Sequence, residues 1–142
     1  MNKILECSSK GDRRFSALFA KIKMFGVLDS IENHYQNTKR NNFGDKVKKG
    51  AYVDHIILNG VKLESRFLTQ WYNLLWVEYL DNNPELVEIL KKYDDYSDIF
   101  KGKAINCQAD TIRMYMGDKT KLIESYQELI AILKNQRKEI YK

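Results

Sequence analysis

Proline is almost absent: Pro84 is the only one in 142 residues, which excludes proline-rich linkers and collagen-like repeats. Cysteine is nearly as scarce. Cys7 and Cys107 are the only two, too few for a disulfide framework, and they are expected as reduced thiols. Together with His34 and His55 they show no close spacing, which argues against a structural zinc site, so no metal and no cofactor is expected. No apolar run is long enough to span a bilayer. Met1-Asn2-Lys3-Ile4 is not followed by the apolar core of a signal peptide, so the expectation is a cytoplasmic chain without membrane contact. The GxxxxGK[ST], GxGxxG, GxSxG and HExxH motifs are all missing, which argues against P-loop kinases, Rossmann dehydrogenases, α/β-hydrolases and zincins. No internal repeat or low-complexity segment is present.

What the chain has is the composition of a globular protein: 44% hydrophobic, 30% charged and 12% aromatic residues. That supports one domain over residues 1–142 with one sizeable core. The net charge is +5, and it is uneven. Residues 10–49 hold ten Lys or Arg against four acids, whereas residues 78–98 hold seven acids against two Lys. A basic first third suits a phosphate-bearing partner, either a nucleotide or a nucleic acid, and equally suits a solvated basic surface.

The periodicity predicts an α+β fold, mostly helical, with a small antiparallel sheet or hairpin. Residues 4–7 and 18–24 read as strands. Asp29 or Ser30 caps a helix to about Arg40, with Asp29 and Glu32 at capping-box spacing. Residues 41–51 are a loop. His55–Leu58 and Val61–Leu63 flank Asn59-Gly60, the signal for a type I′ hairpin. Residues 66–80 are a largely buried central helix. Asn83 and Pro84 start a helix to about Tyr93. Residues 94–98 are an acidic link and Lys101–Lys103 a turn. Asn106 caps a helix over 107–116, and Gly117-Asp118 separates it from a last helix over 119–140. That last apolar stripe packs on the core or pairs with a second copy, leaving a homodimer open.

Three clusters carry candidate chemistry. Lys10, Gly11, Asp12, Arg13, Arg14, Phe15 and Ser16 form a turn able to hold a phosphate or ribose, or a plain surface turn. Glu32, Tyr35, Gln36 and Lys39 share a helix, where Glu32 either complements the helix dipole or acts on a sugar; His34 reads as a packed histidine. Asn106, Gln108 and Asp110 cluster at a helix start, a place that also favours anions. Cys107 has no legible histidine partner for nucleophilic catalysis.

Phe15-Ser16-Ala17-Leu18-Phe19, the following Lys-bearing strand, Gly26, and Ile31-Glu32-Asn33-His34-Tyr35-Gln36 with Lys39 resemble the opening of the NADAR (YbiA-like) superfamily over residues 11–40. That family shows an SNF segment, a strand, a Gly and an EHxxQxxK helix. Here the SNF asparagine is missing, and Asn33 stands where the family has His. The chain also resembles small phage-type proteins, whose location would be the host cytoplasm. The NADAR resemblance implies a YbiA-like α+β fold and an N-glycosidase-like enzyme acting on a ribosylated base or an ADP-ribose-type nucleotide. Glu32 would be the catalytic carboxylate, stabilising positive charge on the ribose or activating a water. Lys10, Arg13, Arg14 and Lys39 would hold phosphates, Trp71 or Tyr72 would stack on a base, and Asn106, Gln108 and Asp110 would complete the contacts. The competing readings are a nucleic-acid-binding or DNA-modification accessory protein, and a binder that sequesters a nucleotide.

Overall fold

Helix α2, Phe67–Asp81, is the hub. Ten of its side chains are buried, among them Trp71, Leu75, Trp76 and Leu80, so its apolar surface runs almost all the way round. A helix of that kind is stable only when enclosed by other elements. The computed structural model describes residues 2–100 and 106–140, with side chains as far as 135. Within them the helices α1 (Ile31–Gln36), α3 (Pro84–Leu90), α4 (Gln108–Gly117), α5 (Lys119–Glu124) and α6 (Gln127–Ile140) all pack on α2. The buried side chains form one contiguous cluster. The fold is α+β and mostly helical, as its periodicity predicts.

The strands form three small sheets among the described residues. β2 (Lys21–Met24) and β3 (Val27–Ser30) form a hairpin. β4 (Lys39–Arg40), β5 (His55–Leu58) and β6 (Val61–Glu64) form an antiparallel sheet. At the β5–β6 turn Asn59 and Gly60 have φ of 50° and 82°, the two positive values a type I′ turn requires.

Several predicted boundaries are corrected. The acidic link contains a strand, β7 (Asp95–Ser97), which pairs in parallel with β1 (Ile4–Glu6). Tyr96 is buried while Asp95 faces solvent, so the acids edge a strand whose partner lies 91 residues away. β2 begins at Lys21 because residues 16–20 form a turn in which Phe19 and Ala20 both donate to the Ser16 carbonyl. Helix α1 stops at Gln36, not Arg40. Thr38 turns its hydroxyl back to the Tyr35 carbonyl and accepts from Ile57 N–H, and the next two residues pair with β5. Strand pairing wins over helical spacing. The α1 cap is Ser30, whose Oγ accepts from Asn33 N–H at 3.0 Å. The capping box with Glu32 is not formed.

Asn83 stands at the cap position of α3, but its amide donates to Tyr79 O instead of capping, and the helix ends at Leu90. Cys107, not Asn106, stands at the cap of α4. The final helix is two: Asp118 caps α5 through Lys121 N–H, and Ser125-Tyr126 separates it from α6. At the break Ser125 bonds the Leu122 carbonyl, a side-chain competition that opens helices. Gln70 of α2 then supplies the acceptor for Leu129 N–H, an otherwise orphaned donor of the new first turn. The predicted Lys101–Lys103 turn and the Ile140 side chain lie outside the described residues.

Candidate functional site

The residue 16–18 turn is clamped on both sides. Ala17 N–H donates to Gln108 Oε1 at 2.7 Å, and its carbonyl accepts from Glu32 N–H at 2.9 Å. This brings the turn, the first turn of α1 and the start of α4 together around one cavity of about 390 Å³. That volume falls within the roughly 300–1,000 Å³ of ordinary small-molecule sites. Tyr72 of α2 forms part of the wall, and residues 49–50, Asp98 and Phe100 line the remainder with Ser9.

Glu32 is on the wall with its side chain 17% exposed. Its Oε1 accepts from Gln36 Nε2 at 3.1 Å, one helical turn on, and lies 3.4 Å from Lys49 Nζ. Lys39 also lines the cavity although it is buried. Its ammonium stands 4.5 Å from the centre of the Tyr35 ring. Burial, with the like charge of Lys49, pulls the Lys39 amine below its ordinary range, although Glu32 acts in the opposite sense. Tyr35 meets Tyr72 edge to face at 5.3 Å, and burial raises both phenols. Asn106 Nδ2 donates to the Tyr35 hydroxyl at 2.8 Å. This bond replaces the cap expected of Asn106.

Gln108 uses both ends of its amide. Besides Ala17 it bonds Asp98, donating to Oδ2 at 2.9 Å. Asp98 Oδ1 in turn accepts from Phe100 N–H. The Asp98–Gln108 pair is therefore a latch between the 98–100 segment and the residue 16–18 turn.

Of the residues singled out from sequence, Ser16, Glu32, Tyr35, Gln36, Lys39, Tyr72, Asn106 and Gln108 converge on this cavity. The others lie off its wall, each for a visible reason. Arg14 is held by Asp12, with Nη2 and Oδ2 2.6 Å apart. Arg13 stacks over Phe19 at 4.7 Å. Gly11 lies against the Glu6 carbonyl, and Lys10 is an exposed neighbour of that turn. Phe15 is core. Trp71 is buried with its indole N–H on the His34 carbonyl, so the aromatic wall is Tyr72 instead. Asp110 pairs with Arg113 at 2.8 Å. His34 Nε2 sits 2.8 Å from the Ile22 carbonyl, a packed histidine.

Sequence reasoning missed Lys49 and Asp98. Lys49 is one of three lysines in a polar loop, and only the fold shows which one reaches Glu32. Burial raises the thiols of both cysteines, Cys7 to about 12, which disfavours a thiolate nucleophile. Among the described residues no cluster of three His, Cys, Asp or Glu is placed to hold a metal ion, and no helix is long and apolar enough to cross a membrane.

A family model described as DarT1-associated NADAR antitoxin matches residues 45–140. The match takes in Lys49, Tyr72, Asp98, Asn106 and Gln108 of the cavity, and begins after Glu32 and Lys39. A search of curated proteins finds no match.

Proposed function

The chain belongs to the family of DarT1-associated NADAR antitoxins, and from that premise we propose that it is an N-glycosidase which releases a base from a ribosylated or ADP-ribose-type nucleotide. Its biological role would be that of an antitoxin to a DarT1-type partner. The observation that carries the proposal is the placement of the Glu32 carboxylate beside the buried Lys39 amine on one small-molecule-sized cavity.

Breaking an N-glycosidic bond puts positive charge on the ribose ring, and a fixed carboxylate in a sheltered site stabilises it. Glu32 accepts a proton from water as the water oxygen bonds to the anomeric carbon. The carbon–nitrogen bond breaks, and the departing base nitrogen takes a proton from the Lys39 ammonium. Burial makes that ammonium a stronger acid than an exposed lysine. In the alternative order the amine, deprotonated before the reaction, attacks the anomeric carbon in place of water, the carbon–nitrogen bond breaks, the base leaves with the proton the amine loses, and water then releases the sugar from the adduct. Lys49, exposed at the rim, supplies a cation for phosphate, and the Tyr35–Tyr72 pair offers an aromatic wall.

Base release from ribosylated nucleotides, followed chromatographically, tests this. Glu32→Gln is expected to lower the rate by about 10²–10⁴, the usual loss on removing one acid–base group, while ligand binding persists. No release by the native protein, or unchanged turnover in Glu32→Gln, would overturn it.

A further inference from the structure

Two buried polar atoms on residues of the cavity wall have no hydrogen-bond partner: the Ser16 hydroxyl and Gln36 Oε1. Folded proteins leave few such atoms unpaired because desolvating them is costly. Ser16 is only 1% exposed, so bulk solvent does not serve it. A third such atom, Trp76 Nε1, belongs to the core of α2 and not to the cavity wall.

The two wall atoms are held in place. Gln36 Nε2 donates to Glu32 Oε1. Flipping the amide would set its oxygen against the carboxylate oxygen, so Glu32 fixes which end of the amide is left over. That end is an acceptor, carried on the same carbon as the nitrogen that touches Glu32. Ser16 is fixed by its turn. Its carbonyl takes two N–H groups, and the next carbonyl, that of Ala17, takes Glu32 N–H.

A free acceptor needs a donor from the ligand. A phosphate oxygen has none at neutral pH and a carbonyl has none, whereas a sugar hydroxyl both donates and accepts. The acceptor sits beside the carboxylate that serves the anomeric carbon, and the atom bonded to that carbon is C2. We infer that Gln36 Oε1 and the Ser16 hydroxyl receive the 2- and 3-hydroxyls of the ribose bearing the scissile bond, so that the site selects ribosyl over 2-deoxyribosyl groups. The inference rests on the N-glycosidase reading and names the specificity of that site. Hydrogen bonds to a 2-hydroxyl strengthen as an oxocarbenium ion develops. A site built to bond a hydroxyl also rejects the analogue lacking it, because its own polar group is then left unpaired. Such an enzyme would remove a ribosyl group from a base and spare the glycosidic bonds of a deoxyribose backbone.

The test is calorimetric binding of ADP-ribose and of its analogue lacking the 2-hydroxyl on the ribose with the free anomeric carbon. The native protein should bind the analogue at least about tenfold more weakly. Gln36→Leu, shown to be folded by circular dichroism, should lose that preference, and Ser16→Ala should weaken binding of both ligands. Equal affinities in the native protein, with base release intact, overturn the inference and leave the glycosidase reading standing. A preference that survives in folded Gln36→Leu overturns the assignment to Gln36. Neither binding nor base release sinks both. The native comparison needs no variant, so misfolding cannot mask the result.

Discussion

Lys39 is a basic side chain to which the NADAR resemblance gave a phosphate-holding role, yet the chain turns into β4 there and buries it against Tyr35. Its amine is held below the 10.5 of an exposed lysine, first by desolvation. The sign of the stability effect follows. Between the folded and unfolded values the unfolded chain binds more protons, so stability rises with pH through that window. Below the window the full cost of charging the buried amine is present. Lys39→Met keeps the bulk and removes the charge. It should abolish base release and melt no lower than the native protein near neutral pH, and its relative advantage should shrink as pH approaches 10.5. Melting curves of both proteins across that range check this, and an advantage that grows with pH would contradict it. Borohydride treatment during turnover separates the two uses of the amine: a sugar adduct trapped at Lys39 marks nucleophilic attack. At this scale the sequence was informative where spacing sets geometry. Glu32 and Gln36 lie four residues apart on one helix, and their bond forms. Lys49 and Asp98 were illegible because loop and strand-end positions carry no such periodicity.

Gly11 shows how an element can resemble a ligand site and be something else. Gly11 itself does not line the cavity; of its turn only Ser9 does. A Cβ on Gly11 would lie 2.0 Å from the Glu6 carbonyl oxygen, backbone against backbone. That close approach seats the turn on the end of β1, where Asp12 N–H also reaches Glu6 O. The Glu6 carboxylate meanwhile accepts from Ser97 and Ile99, binding the end of β7 to the same place. Gly11→Ala should therefore cost about 2 kcal/mol or more, as forced overpacking does, while the folded fraction keeps its ligand affinity. Denaturant melts paired with ADP-ribose titration read the two effects separately. Elements of strong local character were legible: the α2 stripe, the Asn59-Gly60 turn and the Pro84 start. The β1–β7 pair and the early end of α1 were not. Both depend on partners distant in sequence, which local propensity does not report.

For the whole molecule, the fold brings distant segments to one cavity, and the distribution of charge makes a testable statement about what reaches it. Segments near residues 16, 32, 49, 72, 98 and 106 meet at one cavity. The clamps at Ala17, the Asp98–Gln108 latch, the Asn106–Tyr35 bond and the Lys49–Glu32 pair hold them there. Outside the cavity, residues 10–49 retain a large excess of Lys and Arg. Several of these cations, including Lys21 and Lys23 on β2, are exposed. A free nucleotide with two phosphates does not need a field that wide; a strand carrying the modified base would use it, because each phosphate neutralised releases counterions. The expected outcome is that KM for a modified base on a single strand rises with salt, by a slope of about 0.7 in log–log terms per phosphate contacted, with kcat unchanged. Lys21→Glu together with Lys23→Glu should flatten that slope and leave affinity for free ADP-ribose as it was, since neither residue lines the cavity. A KM indifferent to salt would assign the proposed activity to free nucleotides and return the basic surface to simple solvation.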